Sequence, residues 1–306
     1  MTSSTADYWK CLQEAVDSVD YGMTEEEKTQ TEEILNELSQ EEQEALADKF
    51  MTLRHLRAEK GNVKKAIAAM QRTLKWRKEF QVQDLKQCLQ QQQQQQEEHV
   101  DQQEPIDEKK EEDHKASLNA LASVIRTENE TGKSYVRGYD KDGRAILYMR
   151  PAKENTNHEE GNMRNLVYHM EKSIACSSKN GQSEICIVID YDGFQLRHAP
   201  PTSTSKYTLD VLQKHYPERL YRAYICNPPW IFRGFWKVIG PFVDPVTKQK
   251  LQFCTSASDF EKVVSDMGGS EKAAPYLEEC AGGSIKPTDF DTTAYLSLPF
   301  NMSLGE

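Results

Sequence analysis

The sequence predicts an α/β protein in which a small helical domain precedes a mostly parallel β-sheet. Good helix formers and helix-start signals fill the first 86 residues, and strand and helix patterns alternate from about residue 116 onward. The segment EICIVIDYDG, at 184–193, contains a short and wholly apolar run that ends at Asp190. Such a run is typical of a central parallel strand covered on both faces.

Two capping boxes mark helix starts in the N-terminal domain. Thr24 with Glu27, and Ser39 with Glu42, provide the hydroxyl and the carboxylate that satisfy free backbone donors at a helix start. A Gly-Asn pair at 61–62 is predicted to end one helix and begin the next. That next helix is predicted to have one apolar face, with Lys64, Lys65, Arg72 and Lys75 elsewhere and with the apolar positions Val63, Ala66, Ile67, Met70, Thr73, Leu74 and Phe80.

A polar segment at 87–115 separates this domain from the rest of the chain. It contains seven consecutive glutamines from Gln90 to Gln96, a proline at 105 and almost no apolar residues. Such a composition cannot bury enough surface to offset the entropy of ordering the chain. We therefore predict a flexible insertion or linker, with a glutamine-rich interaction segment as the alternative.

Strand and helix patterns then follow one another to about residue 268. A short helix is predicted at 117–128, and two strands flank the turn at 141–144, where an Asp-Gly pair allows a tight hairpin. Ser258 with Glu261 is predicted to cap the last helix of the series. The remaining predicted elements alternate between helices and strands, in the order NMRNLVYHMEKSIACSS, EICIVIDYDG, SKYTLDVLQKHYPERL, RAYICNPP, IFRGFWKVIGPFV and KLQFCTSA.

The net charge of −11 is distributed unevenly along the chain. Residues 1–48 hold 14 acids and 2 bases, whereas residues 49–78 hold 10 bases and the single acid Glu59. Acidic overall composition argues against a nucleic-acid binder. A local basic helix instead favours contact with anionic lipid headgroups, although the same charges could simply solvate a helix face.

Enzyme motifs are weak in this sequence. TENETGKS, at 127–134, ends like a phosphate-binding loop, but Thr127 replaces the first glycine and a helical stretch precedes it. Asp190 and Asp192 follow a strand, yet without partners at a recognisable spacing we expect them to cap a turn with Gly193. We therefore predict that the chain is not an enzyme and needs no cofactor or metal.

Cysteine usage and hydropathy predict a cytoplasmic protein. The seven cysteines are dispersed without a C-x-x-C pair, so we expect reduced core residues, with a redox site as the alternative. No window approaches 18 consecutive apolar residues, and the first 20 residues lack the pattern of a secretory signal.

Several segments, in this order, resemble the CRAL-TRIO superfamily, in the branch of yeast phosphatidylinositol transfer proteins. They are LRHLRAEKGNVKKAIAAMQRTLKWRKEF, GYDKDGRAILYMRP, IVIDYDG, HYPERLYRAYICNPPWIFRGFWKVIGPFVDPVTKQKLQF and the Gly282–Gly283 pair. The resemblance implies a helical domain at 24–86, the insertion at 87–115, a CRAL-TRIO lipid-binding domain at 116–285 and a tail at 286–306.

This resemblance implies a hydrophobic cavity that is floored by the sheet, closed by a helical gate at 231–243 and able to hold one lipid. The large apolar gate residues could cover acyl chains, enter a bilayer as the gate opens, or simply pack in the core. The residues expected to line the cavity and gate are Val136, Leu147, Ile185, Leu212, Phe232, Phe235, Trp236, Ile239 and Phe242. Gly234 and Gly240 with Pro241 offer places for the gate to bend.

The resemblance also implies headgroup contacts. Lys60, Thr247 and Lys250 match positions that engage the inositol phosphate, although Glu59 stands where a basic residue is usual. Glu218 and Arg219 match a charged pair that we expect to organise the gate.

The positions that carry phosphatidylcholine-binding hydroxyls in the family align with Val136, Leu147, Ile185 and Leu212. None of these side chains can hydrogen-bond a phosphate, which argues against phosphatidylcholine exchange.

Two functions follow as expectations. The first is a monomeric protein that binds one lipid, phosphatidylinositol by expectation, and transfers or presents it between membranes while contacting anionic membrane surfaces transiently. The alternative is a lipid-sensing regulatory module that binds a sterol, tocopherol or other hydrophobic ligand and controls a protein partner. A hydrolase of the same fold class would need a nucleophile and a base that the sequence does not provide.

Overall fold

The computed structural model describes residues 22–90, 108–267 and 291–301, and the chain divides into two compact units. The helical unit comprises the residues up to Phe80 together with Asp210–Arg219, and the sheet unit comprises Gln81–Leu209 and the residues from Leu220 onward. The glutamine-rich stretch at 91–107, Cys11, Cys280 and the Gly282–Gly283 pair lie outside the described residues.

The helical unit confirms the helix starts that the sequence predicts. Glu27 N donates to Thr24 Oγ1 at 3.1 Å, and Glu42 N donates to Ser39 Oγ at 3.2 Å. Asn62 Oδ1 accepts a 3.0 Å hydrogen bond from the backbone N of Lys65 and so caps the basic helix. The helices are α1 (Glu25–Glu37), α2 (Gln40–Glu44), α3 (Met51–Ala58) and α4 (Val63–Glu79).

The core of the helical unit forms where α1, α3 and α4 meet. The predicted apolar face of α4 is confirmed, because Ala66, Met70, Thr73 and Leu74 are buried on it. Burial of these side chains stabilises the three short helices, which would be marginal in isolation. The core cluster consists of Ile34, Leu38, Leu56, Ala66 and Met70, with Leu46, Val63 and Ile67 packed against it.

The sheet unit alternates strands and helices, as the sequence predicts. The last residues of α8, from Asp210, group with the helical unit instead. The elements are α5 (Val82–Gln87), α6 (Glu108–Glu128), β1 (Ser134–Tyr139), β2 (Ala145–Met149), α7 (Glu159–Lys179), β3 (Ile185–Asp190), α8 (Thr202–His215), β4 (Leu220–Cys226), α9 (Phe232–Ile239), α10 (Pro245–Gln249), β5 (Leu251–Cys254), α11 (Ala257–Asp266) and α12 (Thr292–Ser297).

The five described strands form one mixed sheet in the order β1-β2-β3-β4-β5. β1 pairs with β2 antiparallel, and every later pair is parallel. The hairpin at β1–β2 is closed by Asp140, whose Oδ1 accepts hydrogen bonds from the backbone N of Asp142 and Arg144. Gly143 has a φ of +92°, a conformation that glycine adopts without strain. The α/β fold class is therefore confirmed.

Two helix starts differ from the prediction. α6 begins at Glu108 and not at Ser117, so part of the predicted insertion is helical. The charged residues at 108–115 are good helix formers that extend an amphipathic helix. α11 is capped by Ser256 and not by Ser258, because Asp259 completes a reciprocal capping box with Ser256.

Residues 291–301, which belong to the predicted tail at 286–306, pack onto other parts of the sheet unit. Tyr295, Leu296 and Phe300 are all buried. The Tyr295 hydroxyl accepts a 2.9 Å hydrogen bond from the backbone N of Val136, and its ring stacks on His169 of α7 at 5.9 Å between centroids. The aromatic spacing in this segment is too irregular to predict such docking from the sequence.

This C-terminal segment covers a buried lysine on α7. Lys172 is fully buried, with its Nζ 4.6 Å from the centre of the Tyr295 ring and 3.5 Å from the carbonyl oxygen of Leu298. Burial lowers the pKa of Lys172 to about 8, because the charged ammonium loses its hydration. The folded state therefore disfavours the protonated form of this lysine.

We expect Lys172→Met to stabilise the protein near neutral pH by about 1–3 kcal/mol. The unfolded chain binds the proton up to about pH 10 and the folded chain only to about pH 8, so wild-type stability rises with pH between these values. Urea unfolding near pH 7 and near pH 10 should show a smaller difference between variant and wild type at the higher pH. Lys179→Met, at an exposed position of α7, is the control. An unchanged or lower stability for Lys172→Met at both pH values would contradict the assignment.

Candidate functional site

One side of the sheet brings apolar side chains from every strand together. Val136 pairs with Leu147, and Leu147 pairs with Ile187, so the three side chains lie on the same side. The β3–β4 and β4–β5 pairings extend the set to the edge of the sheet. We call this set the apolar face; its residues are Val136, Leu147, Met149, Ile185, Ile187, Ile189, Ala223, Ile225, Leu251 and Phe253.

The apolar face is most exposed at its β5 edge, whereas its β4 members Ala223 and Ile225 are buried. Val136 and Leu147 are buried, whereas Ile189 and Leu251 are partly exposed and Phe253 is 39% exposed. A side chain as large as Phe253 on an edge strand normally requires a cover. Shielding of the apolar face from water near β5 therefore depends on the element that packs against this edge.

Helix α9 packs against this edge through aromatic side chains. The Phe232 ring lies 6.0 Å from the Phe253 ring and 5.0 Å from the Tyr191 ring, measured between centroids. Trp236, one turn later, lies 5.6 Å from Phe253. Phe232 and Ile239 are buried, so one side of α9 faces the sheet unit.

The other side of α9 and the residues flanking it expose apolar groups. Trp230 is 83% exposed, Phe242 is 50% exposed, and Phe235, Val238 and Val246 are also exposed. We call these five residues the exposed patch. Lys206 Nζ lies 4.2 Å from the centre of the Phe242 ring, and Arg233, Lys237 and Lys248 are exposed close by in the sequence. Large apolar groups with basic neighbours are typical of a surface that contacts anionic membranes.

Comparison with known proteins identifies the domain that carries this geometry. Residues 129–269, from just after α6 to just after α11, match the CRAL/TRIO domain family. The chain contains a CRAL-TRIO domain. The apolar face and α9 both lie within it.

Relatives of this CRAL-TRIO chain include fungal proteins. It is 34% identical over 237 residues to the CRAL-TRIO domain-containing protein C23B6.04c of Schizosaccharomyces pombe, which covers 74% of this chain and 20% of that protein. It is 32% identical over 206 residues to the phosphatidylinositol transfer protein PDR17 of Saccharomyces cerevisiae, covering 66% of this chain and 51% of that protein. The chain thus spans about half, or less, of the length of these relatives.

A solved structure supports the fold. The crystal structure of Sfh5 aligns with 81% of this chain and 88% of its own length, with a TM-score of 0.53 and 19% sequence identity. At this identity the likeness concerns the fold alone. No helix in the described part of the chain is long and apolar enough to cross a membrane.

The predicted lining residues of the CRAL-TRIO domain fall into two groups. Val136, Leu147 and Ile185 are fully buried in the sheet, and all three lie on the side of the apolar face. Leu212 lies in the segment 210–219, which groups with the helical unit, and is partly exposed. Phe232 and Ile239 are buried on α9, whereas Trp236 is partly exposed and Phe235 and Phe242 are exposed. Their roles in lining a cavity stay predictions.

The predicted phosphate ligands are divided between the units. Lys60 is an exposed residue of the helical unit with a positive φ of 54°. Thr247 on α10 and Lys250 just after it lie in the sheet unit, where the Lys250 N donates to the Thr247 carbonyl at 3.0 Å. Lys250 Nζ also donates to the Leu220 carbonyl at 2.5 Å and lies 3.4 Å from Glu184 Oε1. Glu184 therefore competes with any phosphate for this ammonium group.

Arg219, the basic member of the predicted gate pair, has an acidic partner in the helical unit. It is buried and forms an ion pair with Asp48, which also accepts a 2.6 Å hydrogen bond from Arg54 Nη2. Burial alone raises the pKa of Asp48, but the charges of Arg219 and Arg54 outweigh it and hold that pKa well below its usual range. Glu218 is exposed with a φ of 54°. A role for the pair in organising the gate remains a prediction.

The acidic residues at the end of β3 cap a turn, as the sequence predicts. Asp190 Oδ1 accepts hydrogen bonds from the backbone N of Asp192 at 3.0 Å and from the Asn227 amide at 3.1 Å. Gly193 completes the turn with a φ of 73°. Burial raises the pKa of Asp190. Among the described residues, no group of three or more histidine, cysteine or acidic side chains could hold a metal ion.

Lys133, in the segment that resembles a phosphate-binding loop, is held by protein groups. It is buried, and its Nζ donates to Glu128 Oε2 at 2.6 Å and to Asn162 Oδ1 at 2.7 Å. Glu154 lies 3.2 Å away and makes a second ion pair. The preceding residues form helix α6, so neither the backbone nor the lysine resembles a nucleotide site.

The described cysteines behave as core residues. Cys88, Cys176, Cys186, Cys226 and Cys254 are all buried, which agrees with the predicted structural role. Burial raises the pKa of Cys88 to about 12, because the thiolate would lose its hydration.

Proposed function

We propose that the CRAL-TRIO domain binds one lipid against the apolar face, beneath α9, and that the protein transfers or presents this lipid between membranes. The observation that carries the proposal is the combination of an apolar face that is most exposed at its β5 edge with an amphipathic helix that covers it. Acyl chains on this face would replace burial in the bilayer by burial in the protein, with no covalent step.

The surroundings of α9 support movement of this helix. Gly234, in the first turn of α9, faces open space, and a glycine inside a helix lowers the cost of distorting the backbone there. Gly240 and Pro241 follow the last turn of α9, where proline removes a backbone donor and limits continuation of the helix. Bending at this point would uncover the edge of the apolar face at Phe253.

The exposed patch supports transient membrane contact from the cytoplasm. Insertion of Trp230 and Phe242 into the interfacial region would remove exposed apolar area from water, and the neighbouring cations would attract anionic headgroups. The same movement would bring the covered edge of the sheet to the lipid layer. In this proposal a monomer needs no cofactor and no nucleic acid.

Phosphatidylinositol is the proposed ligand. PDR17 and CSR1, the latter from Eremothecium gossypii and 26% identical over 233 residues, are both named phosphatidylinositol transfer proteins. Lys60, Thr247 and Lys250 are the proposed contacts to the inositol phosphate. Lys250 Nζ lies 3.4 Å from Glu184 Oε1. A bound phosphate must therefore displace Glu184 from this ammonium group or share the ammonium group with it.

A neutral ligand is the second candidate, and a specific observation favours it. Val136, Leu147 and Ile185 are apolar and fully buried, and the resemblance to the family implies that they replace hydroxyl-bearing residues that contact phosphatidylcholine. Such a wall suits a sterol, tocopherol or fatty acid as well as acyl chains. In that case the chain would act as a lipid-sensing module that controls a protein partner.

Native mass spectrometry with lipid identification tests the ligand. We expect one phosphatidylinositol per chain in the wild type and at least about a ten-fold lower occupancy in Thr247→Ala/Lys250→Ala, because charge-assisted bonds to phosphate contribute about 1.5–3 kcal/mol each. Lys248→Ala, an exposed lysine on the same helix, is the matched control and should retain the lipid. A bound neutral lipid that the double variant retains would select the second candidate, and a wild-type protein that stays empty after incubation with donor vesicles would overturn both.

A further inference from the structure

Helix α4 carries a dense group of exposed basic residues on the helical unit. At 100° per residue, positions 64, 65, 72 and 75 fall within an arc of about 100° on one side of the helix. Lys60 precedes this helix, just before the Asn62 cap. All five side chains are exposed, and we call them the basic face: Lys60, Lys64, Lys65, Arg72 and Lys75.

Other cations of the helical unit are neutralised by acids of the same unit. Arg54 pairs with Asp48 at 2.6 Å, Arg57 with Glu27 at 2.7 Å, and Lys78 with Glu41 at 3.1 Å. These contacts show that the unit has acidic partners available for basic side chains. The basic face therefore differs from the rest of the helical unit in how few of its cations have acidic partners.

The basic face retains a positive charge. Its five cations are accompanied by two carboxylates, Glu59 next to Lys60 and Glu79 at 3.8 Å from Lys75, which leaves a net charge of +3. No ion pair joins Lys64, Lys65 or Arg72 to an acid within the described ranges. The whole chain carries a net charge of −11, so this local positive charge is opposite in sign to that of the protein as a whole.

The opposite side of α4 is fixed in the core. Ala66, Met70 and Leu74 are buried on that side, and Thr73 Oγ1 donates to the Lys214 carbonyl at 3.2 Å. The helix cannot rotate to cover its charges without exposing these groups. It therefore presents a rigid positive surface, and a flat anionic partner complements such a surface.

We propose that the basic face of α4 docks the helical unit on an anionic phospholipid bilayer, as a second contact distinct from the exposed patch. This proposal rests on the proposed function, which brings the protein to membranes. Each basic side chain close to an anionic leaflet raises the partition coefficient about five-fold, so three of them contribute roughly 100-fold. The attraction falls with salt, because the Debye length shortens from about 10 Å at 0.1 M to about 3 Å at 1 M.

Vesicle sedimentation with two triple variants tests the proposal. Lys64→Gln/Lys65→Gln/Arg72→Gln removes three charges from the basic face. Its control, Lys28→Gln/Lys78→Gln/Lys214→Gln, removes the same net charge from lysines that pair with Glu25, Glu41 and Asp210. The probes are vesicles of phosphatidylcholine with and without phosphatidylserine, at low and high salt.

We expect the wild type to bind phosphatidylserine vesicles in a salt-dependent manner, the first variant to lose roughly 100-fold in partition coefficient and the control to lose less than about five-fold. Equal losses in both variants, or no loss in the first, would overturn the proposal. Loss of binding to a duplex RNA probe with unchanged vesicle binding would assign the surface to nucleic acid instead and also overturn it.

The amount of lipid bound to the same samples distinguishes failure of the docking proposal from failure of the proposed function. The first variant should retain the bound lipid of the wild type in native mass spectrometry, because its residues lie outside the proposed ligand site. An empty wild type that still binds anionic vesicles would contradict the proposed function and leave the docking surface intact.

Discussion

Replacement of Trp230 and Phe242 by alanine should slow lipid transfer between vesicles by roughly 10- to 100-fold. Trp230 is 83% exposed and Phe242 is 50% exposed, so each can move into a bilayer with little rearrangement of the core. Burial of a large apolar side chain contributes about 1.5–3 kcal/mol, and part of this contribution is recovered at the interface. The measurement is transfer of a fluorescent phospholipid from donor to acceptor vesicles.

The matched control for this double variant is Leu298→Ala. Leu298 is also exposed, but it lies in the C-terminal segment beside α7 and not in the exposed patch. It should transfer lipid at the wild-type rate. The double variant should also keep its bound lipid, because neither side chain is buried. Equal slowing by Leu298→Ala, or loss of the lipid from the double variant, would contradict a membrane-contact role for the patch.

Local rules explain the parts of the fold that the sequence predicts well. The capping boxes at Thr24 and Ser39 depend on residues three positions apart, and the hairpin turn depends on an Asp-Gly pair. The apolar run at β3 is long enough to identify a central strand, and the spacing of Phe232 and Trp236 identifies an amphipathic helix. Each of these patterns is complete within a few residues.

Features that depend on distant residues could not be predicted. Asp48 meets Arg219, which lies 171 positions later, and no pattern near Asp48 marks it as the partner of a buried arginine. Lys172 is one charged residue in an amphipathic helix, and it contacts Leu298, which lies 126 positions later. The same limit applies to the site. The sequence places Phe232 and Phe242 in one apolar segment, but only the packing shows that the first is buried and the second exposed.

Replacement of Asp48 by alanine should destabilise the helical unit by about 3–5 kcal/mol. The variant would leave the guanidinium groups of Arg54 and Arg219 buried without their shared carboxylate. It would also remove the acceptor of the 2.9 Å hydrogen bond from the backbone N of Phe50. Urea unfolding followed by circular dichroism measures the change in free energy.

Glu41→Ala provides the matched control, because it also removes a carboxylate from an ion pair of the helical unit. Glu41 and its partner Lys78 are both more than 80% exposed, at 82% and 81%, so water replaces the lost contact. Exposed pairs of this kind contribute only about 0–1 kcal/mol. If Asp48→Ala lowered the free energy of unfolding no more than Glu41→Ala does, the two arginines would cost little when buried without a carboxylate, which would contradict the prediction.

The pH dependence should distinguish the charge of Asp48 from its packing. Because the folded-state pKa lies below the unfolded value, the stabilisation is present above the unfolded pKa and is lost as the pH falls through the folded one. The gap in stability between wild type and Asp48→Ala should therefore stay constant from about pH 7 to pH 5 and narrow below about pH 4. Asp48→Asn keeps the size of the side chain and one acceptor oxygen but removes the charge. If this variant matched the wild type near neutral pH, the hydrogen bonds and not the ion pairs would hold the arginines.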